Sequence, residues 1–154
     1  MIDLFTTDQS IIKMNATINH KKAAQQPGRE TDWKDKTILV ADDVKINYLL
    51  LKAMLGKTNA NILWAHDGIE AINYCKANRN IDLVLMDFSM PKLNGAEATR
   101  QIKKIRHDLP VISQTTSGMG TYEFDSLAST CDDYLLKPLS KEKLIYKVGK
   151  YINK

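Results

Sequence analysis

Five times between Thr37 and Ile152 a short apolar run is followed by a segment with helical spacing. That alternation restricts the fold more than any other feature of the chain. The runs are TILVA (37–41), NILWA (61–65), IDLVLM (81–86), LPVIS (109–113) and DYLLK (133–137). Unbroken apolar runs of this length suit strands buried on both faces, as in a parallel sheet covered by helices. After the first run, VKINYLLLKAML (44–55) carries Ile46, Leu49, Leu50, Ala53 and Met54 at helical spacing. Asp67 with Glu70, and Asn94 with Glu97, have the three-residue interval of a capping box, ahead of the helices IEAINYCKAN and AEATRQIKKI. Ser140 caps KEKLIYKVGKYI. The weakest helix is MGTYEFDSLAST (119–130), whose Gly, Thr and Ser dilute its propensity. Every connection is long enough for a crossover, so the spacing predicts an α/β, doubly wound domain with five parallel strands and helices on both faces.

Residues 1–36 read differently. They are mostly polar, and QQPGRETD (25–32) has the composition of a loop or linker. The expected division is a flexible or partner-dependent arm over 1–36 and one domain over 37–154. The formal charge of +4 does not point to direct nucleic-acid binding. Over 37–154 there are 16 basic against 13 acidic residues, and Lys141, Lys143, Lys147, Lys150 and Lys154 suit a solvated face and a helix C-terminus. No apolar run reaches the ~18–20 residues of a membrane span, and the N-terminus lacks the pattern of a secretory signal. The expectation is a cytoplasmic protein with no membrane segment within this chain. Cys75 shares an apolar stripe with Ala71 and Ile72 and is expected to pack as a small hydrophobe. With Cys131 the only other cysteine and His20, His66 and His107 scattered, neither a disulfide nor a zinc site is expected.

Open parallel sheets bind ligands beyond the carboxyl ends of their strands. At those ends stand Asp42 and Asp43 after the first run and Asp87 after the third. Thr115 and Thr116 follow the fourth, and Lys137, then Pro138, closes the fifth. Three clustered carboxylates repel by ~4 kcal/mol per pair at 4 Å and an effective dielectric of 20. One divalent cation and one lysine cancel that charge, and oxygen-only ligands suit Mg²⁺. Such a cluster is equipment for phosphoryl transfer, in which aspartate is an established nucleophile. Spacing alone does not choose the attacking acid; Asp87, at the end of the central strand, is the best placed.

These residues lie in ILVADD (38–43), LVLMDFSMPKLNGAEATRQIKKI (83–105), PVISQTTS (110–117) and DDYLLKP (132–138). Their order and spacing resemble the response-regulator receiver domain of two-component signalling, from about Lys36 to Ile152. The resemblance implies a flavodoxin-like sheet of strand order 2-1-3-4-5 and a phospho-accepting Asp87. It makes Asp43 a direct Mg²⁺ ligand, Asp42 its neighbour acting through water, and the backbone carbonyl of Ser89 a third protein ligand. Lys137 would pair with the phosphorylated carboxylate, ahead of a cis bond to Pro138. Thr115 matches the switch hydroxyl and Tyr134 the switch aromatic. The chain departs from the family at Thr116, where Ala is usual, and at Thr130, where Gly is common. Its fourth helix is poor in helix formers and is expected to be mobile or irregular. Ser89 and Ser117 occupy the two positions thought to tune phosphoryl lifetime.

The resemblance implies a phosphorylation switch. Asp87 would take the phosphoryl group of a histidine kinase or histidine phosphotransfer protein, with Mg²⁺ required and slow self-hydrolysis resetting it. A homodimer through the fourth and fifth helices is a further partner it allows. Either a stand-alone regulator or the C-terminal receiver of a hybrid sensor kinase fits. WKDKTILVADD, and no output domain after Lys154, favour the hybrid. Three rivals remain. A Mg²⁺-dependent phosphatase with an aspartyl nucleophile would place a second Asp where Ser89 stands. A flavin module would need a phosphate loop where DDVKIN is acidic. A degenerate receiver that only mediates contacts would usually have lost one of the acids.

Overall fold

A computed structural model describes residues 31–154. The strands are β1 (Thr37–Ala41), β2 (Asn61–Ala65), β3 (Ile81–Asp87), β4 (Val111–Thr116) and β5 (Asp133–Lys137). The helices are α1 (Lys45–Leu55), α2 (Gly68–Ala77), α3 (Gly95–Ile105), α4 (Thr121–Ala128) and α5 (Lys141–Ile152). The five strands form one parallel sheet in the order β2-β1-β3-β4-β5, the flavodoxin-like arrangement the motifs imply. Its register aligns the functional ends of the strands: Ala41 lies opposite Ala65 and Met86, Asp87 opposite Gln114, and Thr116 opposite Lys137.

The apolar runs are buried on both faces, and side-chain alternation divides them between two cores. Leu39, Val84, Met86 and Val111 pack with α2 and α3 through Ala71, Ile72, Cys75, Ala98 and Ile102. Ile38, Val40, Leu83, Leu85, Ile112 and Leu135 pack with α1 and α5 through Leu51, Leu55, Leu144 and Val148. Cys75 is an apolar core residue as expected, and burial pushes its thiol up to about 11. Side chains close three helix N-termini. Asp67 accepts from Glu70 N at 2.8 Å, Asn94 from Glu97 N at 2.9 Å and Ser140 Oγ from Lys143 N at 3.4 Å.

Five features differ from the sequence reading or add to it. α1 does not bury the stripe expected of it: Ile46 is 67% exposed, Leu49, Leu50 and Ala53 are also exposed, and Leu51 and Leu55 enter the core instead. The helix is apolar around most of its girth, so spacing offered two stripes and packing chose the other. β4 begins two residues later than expected and runs on to Thr116, taking Gln114 and Thr115 into the sheet. α4 is a regular helix of eight residues, with Glu123 Oε2 accepting from Gly120 N at its start. Thr130 needs no left-handed backbone, because its hydroxyl donates to Ser126 O and Leu127 O and closes α4 from outside. Of the arm expected over 1–36, residues 1–30 lie outside the described residues. Trp33, within it, is buried in the core beside α5 and donates its N–H to Thr58 O.

Candidate functional site

The chain leaves β1 at Asp42, and every atom of that residue but one is fixed. Its N–H donates to Ala65 O at 3.1 Å, and its carbonyl accepts from the Trp64 indole at 2.8 Å. Oδ1 accepts from Val44 N at 2.8 Å and from Asn47 Nδ2 at 3.2 Å. Trp64 is itself braced, stacked on Tyr48 of α1 with ring centroids 4.6 Å apart. What remains is Asp42 Oδ2, fully buried and without a hydrogen-bond partner among the described residues. Asp43, next in the chain, is exposed.

Asp87 ends β3 and is 6% exposed. Carboxylate oxygens of Asp42, Asp43 and Asp87 lie within 4.8 Å of one another. Lys137, at the end of β5, reaches across the sheet. Its Nζ donates to Asp87 Oδ1 at 2.9 Å and stands 3.6 Å from Asp42 Oδ2. Burial holds the Asp87 carboxyl above the usual carboxylate range, and the charges of Asp42 and Asp43 add to that rise; the Lys137 ammonium opposes it without reversing it. The arrangement therefore has a charge deficit that a cation would cure. Three hard oxygen donors, one carrying an open valence, fit a divalent ion such as Mg²⁺ held by Asp42, Asp43 and Asp87.

The other residues named from the sequence fall around this centre. Ser89 is exposed in the turn directly after β3, and the Lys137–Pro138 bond is cis. Thr115 is buried, and its hydroxyl donates to Met119 Sδ at 3.4 Å rather than to Asp87 or Lys137. Tyr134 is half-buried, edge-on to the Phe124 ring of α4 at 5.4 Å, with Lys147 Nζ 4.8 Å from its own ring. The acids and Lys137 are thus brought together, while Thr115 and Tyr134 are engaged elsewhere.

Several supporting residues were not identified from the sequence. Gly95, the first residue of α3, donates its N–H to Phe88 O, and a Cβ there would lie 2.2 Å from Asp87 O. Only glycine lets the α3 N-terminus approach the backbone that carries Asp87. Asn47 and Trp64 carried no signal, since each reads as an ordinary helix or strand residue. Gln114 stands just past the apolar run of the fourth strand, so the pattern gives it no role.

The sequence profile of the response regulator receiver domain matches residues 38–149. The chain belongs to that family. The receiver is 31% identical over 142 residues to the autoinducer 1 sensor kinase/phosphatase LuxN of Vibrio campbellii, a match covering 92% of this chain and 16% of that protein. It thus spans about a sixth of that curated relative. It superimposes on the receiver domain of the Francisella response regulator 1452 with a TM-score of 0.68 and 30% identity, covering 77% of this chain and 97% of that one. The receiver domain of the sensor histidine kinase PA1611 of Pseudomonas aeruginosa, whose structure has a magnesium ion coordinated in the active-site cleft, matches with a TM-score of 0.71 and 27% identity. That match covers 77% of this chain and 98% of the other. This receiver is part of a two-component phosphorelay, in which such domains interact with histidine kinases or phosphotransfer proteins. Among the described residues no helix is long and apolar enough to cross a membrane.

Proposed function

We propose that this receiver accepts a phosphoryl group on Asp87 from a phosphohistidine of a kinase or phosphotransfer protein. One observation carries the reading: a buried carboxylate sits among two others and is held by a single ammonium. Lys137 fixes Asp87 Oδ1 and so presents Oδ2 as the nucleophile. The Oδ2–P bond forms as the P–N bond to the donor breaks, and the electron pair leaves with the imidazole, which takes a proton from solvent. Lys137 then follows the negative charge onto a phosphoryl oxygen. Mg²⁺, held by Asp42, Asp43, Asp87 and the Ser89 carbonyl, would supply the remaining charge neutralisation.

The reading also assigns the switch. A phosphoryl group on Asp87 offers the Thr115 hydroxyl a far stronger acceptor than the Met119 thioether. Movement of Thr115 frees space beside β4, and Tyr134 leaves the edge of Phe124 to fill it. The donor's surface must cover the β1–α1 turn for its histidine to reach Asp87. The exposed Ile46, Leu49 and Leu50 on α1 supply an apolar face there. Sensor kinases among the relatives, of which the chain spans a small part, support a receiver belonging to such a kinase.

The test is incubation with Mg²⁺ and acetyl phosphate, followed by assay for an acid-stable, base-labile adduct. We expect one phosphoryl group on the wild type and none on Asp87→Asn. Equal incorporation by the variant would remove Asp87 from this role. Rapid turnover of a phosphomonoester would favour the phosphatase alternative.

A further inference from the structure

Gln114 is fully buried, and among the described residues neither end of its amide has a hydrogen-bond partner. Such a group lowers stability, because it loses water and gains nothing in exchange. Leucine, nearly the same size, would fill the position without that cost. The sheet register shows where the amide lies. Gln114 is opposite Asp87 on β3 and opposite Leu135 on β5, and residues paired in a parallel sheet point to the same face. Ile112 and Leu135 place that face in the core beside α1 and α5. Lys137 is two residues beyond Leu135, so it shares the face and must cross over β4 to reach Asp87. The Gln114 side chain therefore belongs to the strand that the Lys137–Asp87 ion pair bridges.

We propose that Gln114 is a positioning residue of the phosphoryl site, whose amide engages Asp87 and Lys137 once the ammonium is drawn to a phosphoryl oxygen. Nε2 donates to the Asp87 oxygen that Lys137 releases, and Oε1 accepts an N–H of the displaced ammonium. The inference rests on the reading of Asp87 as phosphoacceptor. It also accounts for a costly amide in an apolar core, since departures from packing rules are expected where function requires them. In the resting state the amide has no partner among the described residues; in the phosphorylated state it is satisfied. The difference favours phosphorylation and lengthens the life of the acyl phosphate.

The experiment compares wild type with Gln114→Leu and with Gln114→Met, a second apolar variant that guards against a packing fault in the first. Both are expected to melt higher, by about 3 °C, as an unsatisfied buried group is removed. Both are also expected to form the adduct with acetyl phosphate and Mg²⁺ about tenfold more slowly, the worth of roughly one hydrogen bond. A merely structural glutamine would give the first effect without the second. The side-chain amide resonance of Gln114, identified by its absence from the variants, should shift when Mg²⁺ and beryllofluoride are added to the wild type. An adduct forming at the wild-type rate in both variants, or an unmoved amide resonance, would overturn the role of Gln114 alone. No adduct on the wild type would overturn the phosphoacceptor reading and this inference with it.

Discussion

The two edges of the sheet use the same residue types to opposite effect. At the edge where the strands begin, three acids each have partners. Asp82 accepts from Thr37 N at 2.8 Å and from Lys36 at 3.5 Å. Asp132 accepts from Val111 N at 2.7 Å and pairs with Lys103 at 2.6 Å. Asp133 accepts from Tyr134 N, Lys147 and Tyr151, with Lys150 at 3.7 Å. At the edge where the strands end, Asp42 and Asp87 share the ammonium of Lys137, and Asp43 beside them has no ion pair among the described residues.

The protonation behaviour follows. For Asp133, burial alone would raise the carboxyl, but the bonds from Lys147 and Tyr134 N outweigh it and hold the group below its usual range. For Asp87, burial wins and the group is held above that range. Ionised Asp133 thus stabilises the fold, whereas ionising Asp87 carries a cost, which a cation can relieve.

Four measurements would break or sharpen this contrast. The largest expected effect is that of Mg²⁺ on the wild type: a ligand at a hundred times its dissociation constant stabilises by about 2.7 kcal/mol. Thermal melts with and without EDTA read this, and an unchanged midpoint would mean the acids do not act as one site. Next, Lys137→Ala should destabilise the metal-free protein by about 2 kcal/mol in urea, because it leaves buried carboxylates without a counter-charge. A smaller loss would show that water already screens them.

Third, Asp87→Asn should stabilise the metal-free protein by about 1 kcal/mol at neutral pH. A carboxyl raised in the folded state contributes stability fully present below its unfolded value of about 3.9, and lost as pH rises through the folded value. The gain should therefore disappear at acid pH, and a gain independent of pH would sink the electrostatic account. The smallest effect belongs to the paired edge. Lys147→Met should cost somewhat less than about 1 kcal/mol near neutrality, after allowing for partial exposure of the ammonium. Asp133 is lowered in the fold, so its contribution is present above about pH 3.9 and lost as pH falls through the folded value. The variant's penalty should vanish in acid.

How far the sequence revealed this design depended on contrast between neighbouring residues. Asp42, Asp43, Asp87 and Lys137 were legible because each interrupts or ends an apolar run, and the alternation of strands and helices puts such ends on one edge. The full strand order was available only through the resemblance, since periodicity does not say which strands are neighbours. Where contrast was lacking the reading failed. α1 offered more apolar residues than its buried face could hold, so Leu51 and Leu55 were passed over for Ile46, Leu49 and Leu50. QTT (114–116) is too polar to extend the apolar run, yet β4 continues through it, and Gln114 carries no signal on its own. Gly95 was invisible for another reason: the need for it arises from the backbone of Asp87, distant until the fold brings them together.

The indole that holds the Asp42 carbonyl has a further use. Of the two tryptophans in the chain, Trp33 is sealed in the core beside α5, while Trp64 is only partly buried and touches both the acidic loop and Tyr48. Any ion or group that tightens or shifts the backbone at Asp42 acts on the ring of Trp64, and Trp33 contributes a constant background. The protein therefore carries its own optical probe of the acidic pocket, so occupancy can be followed by fluorescence in unlabelled material.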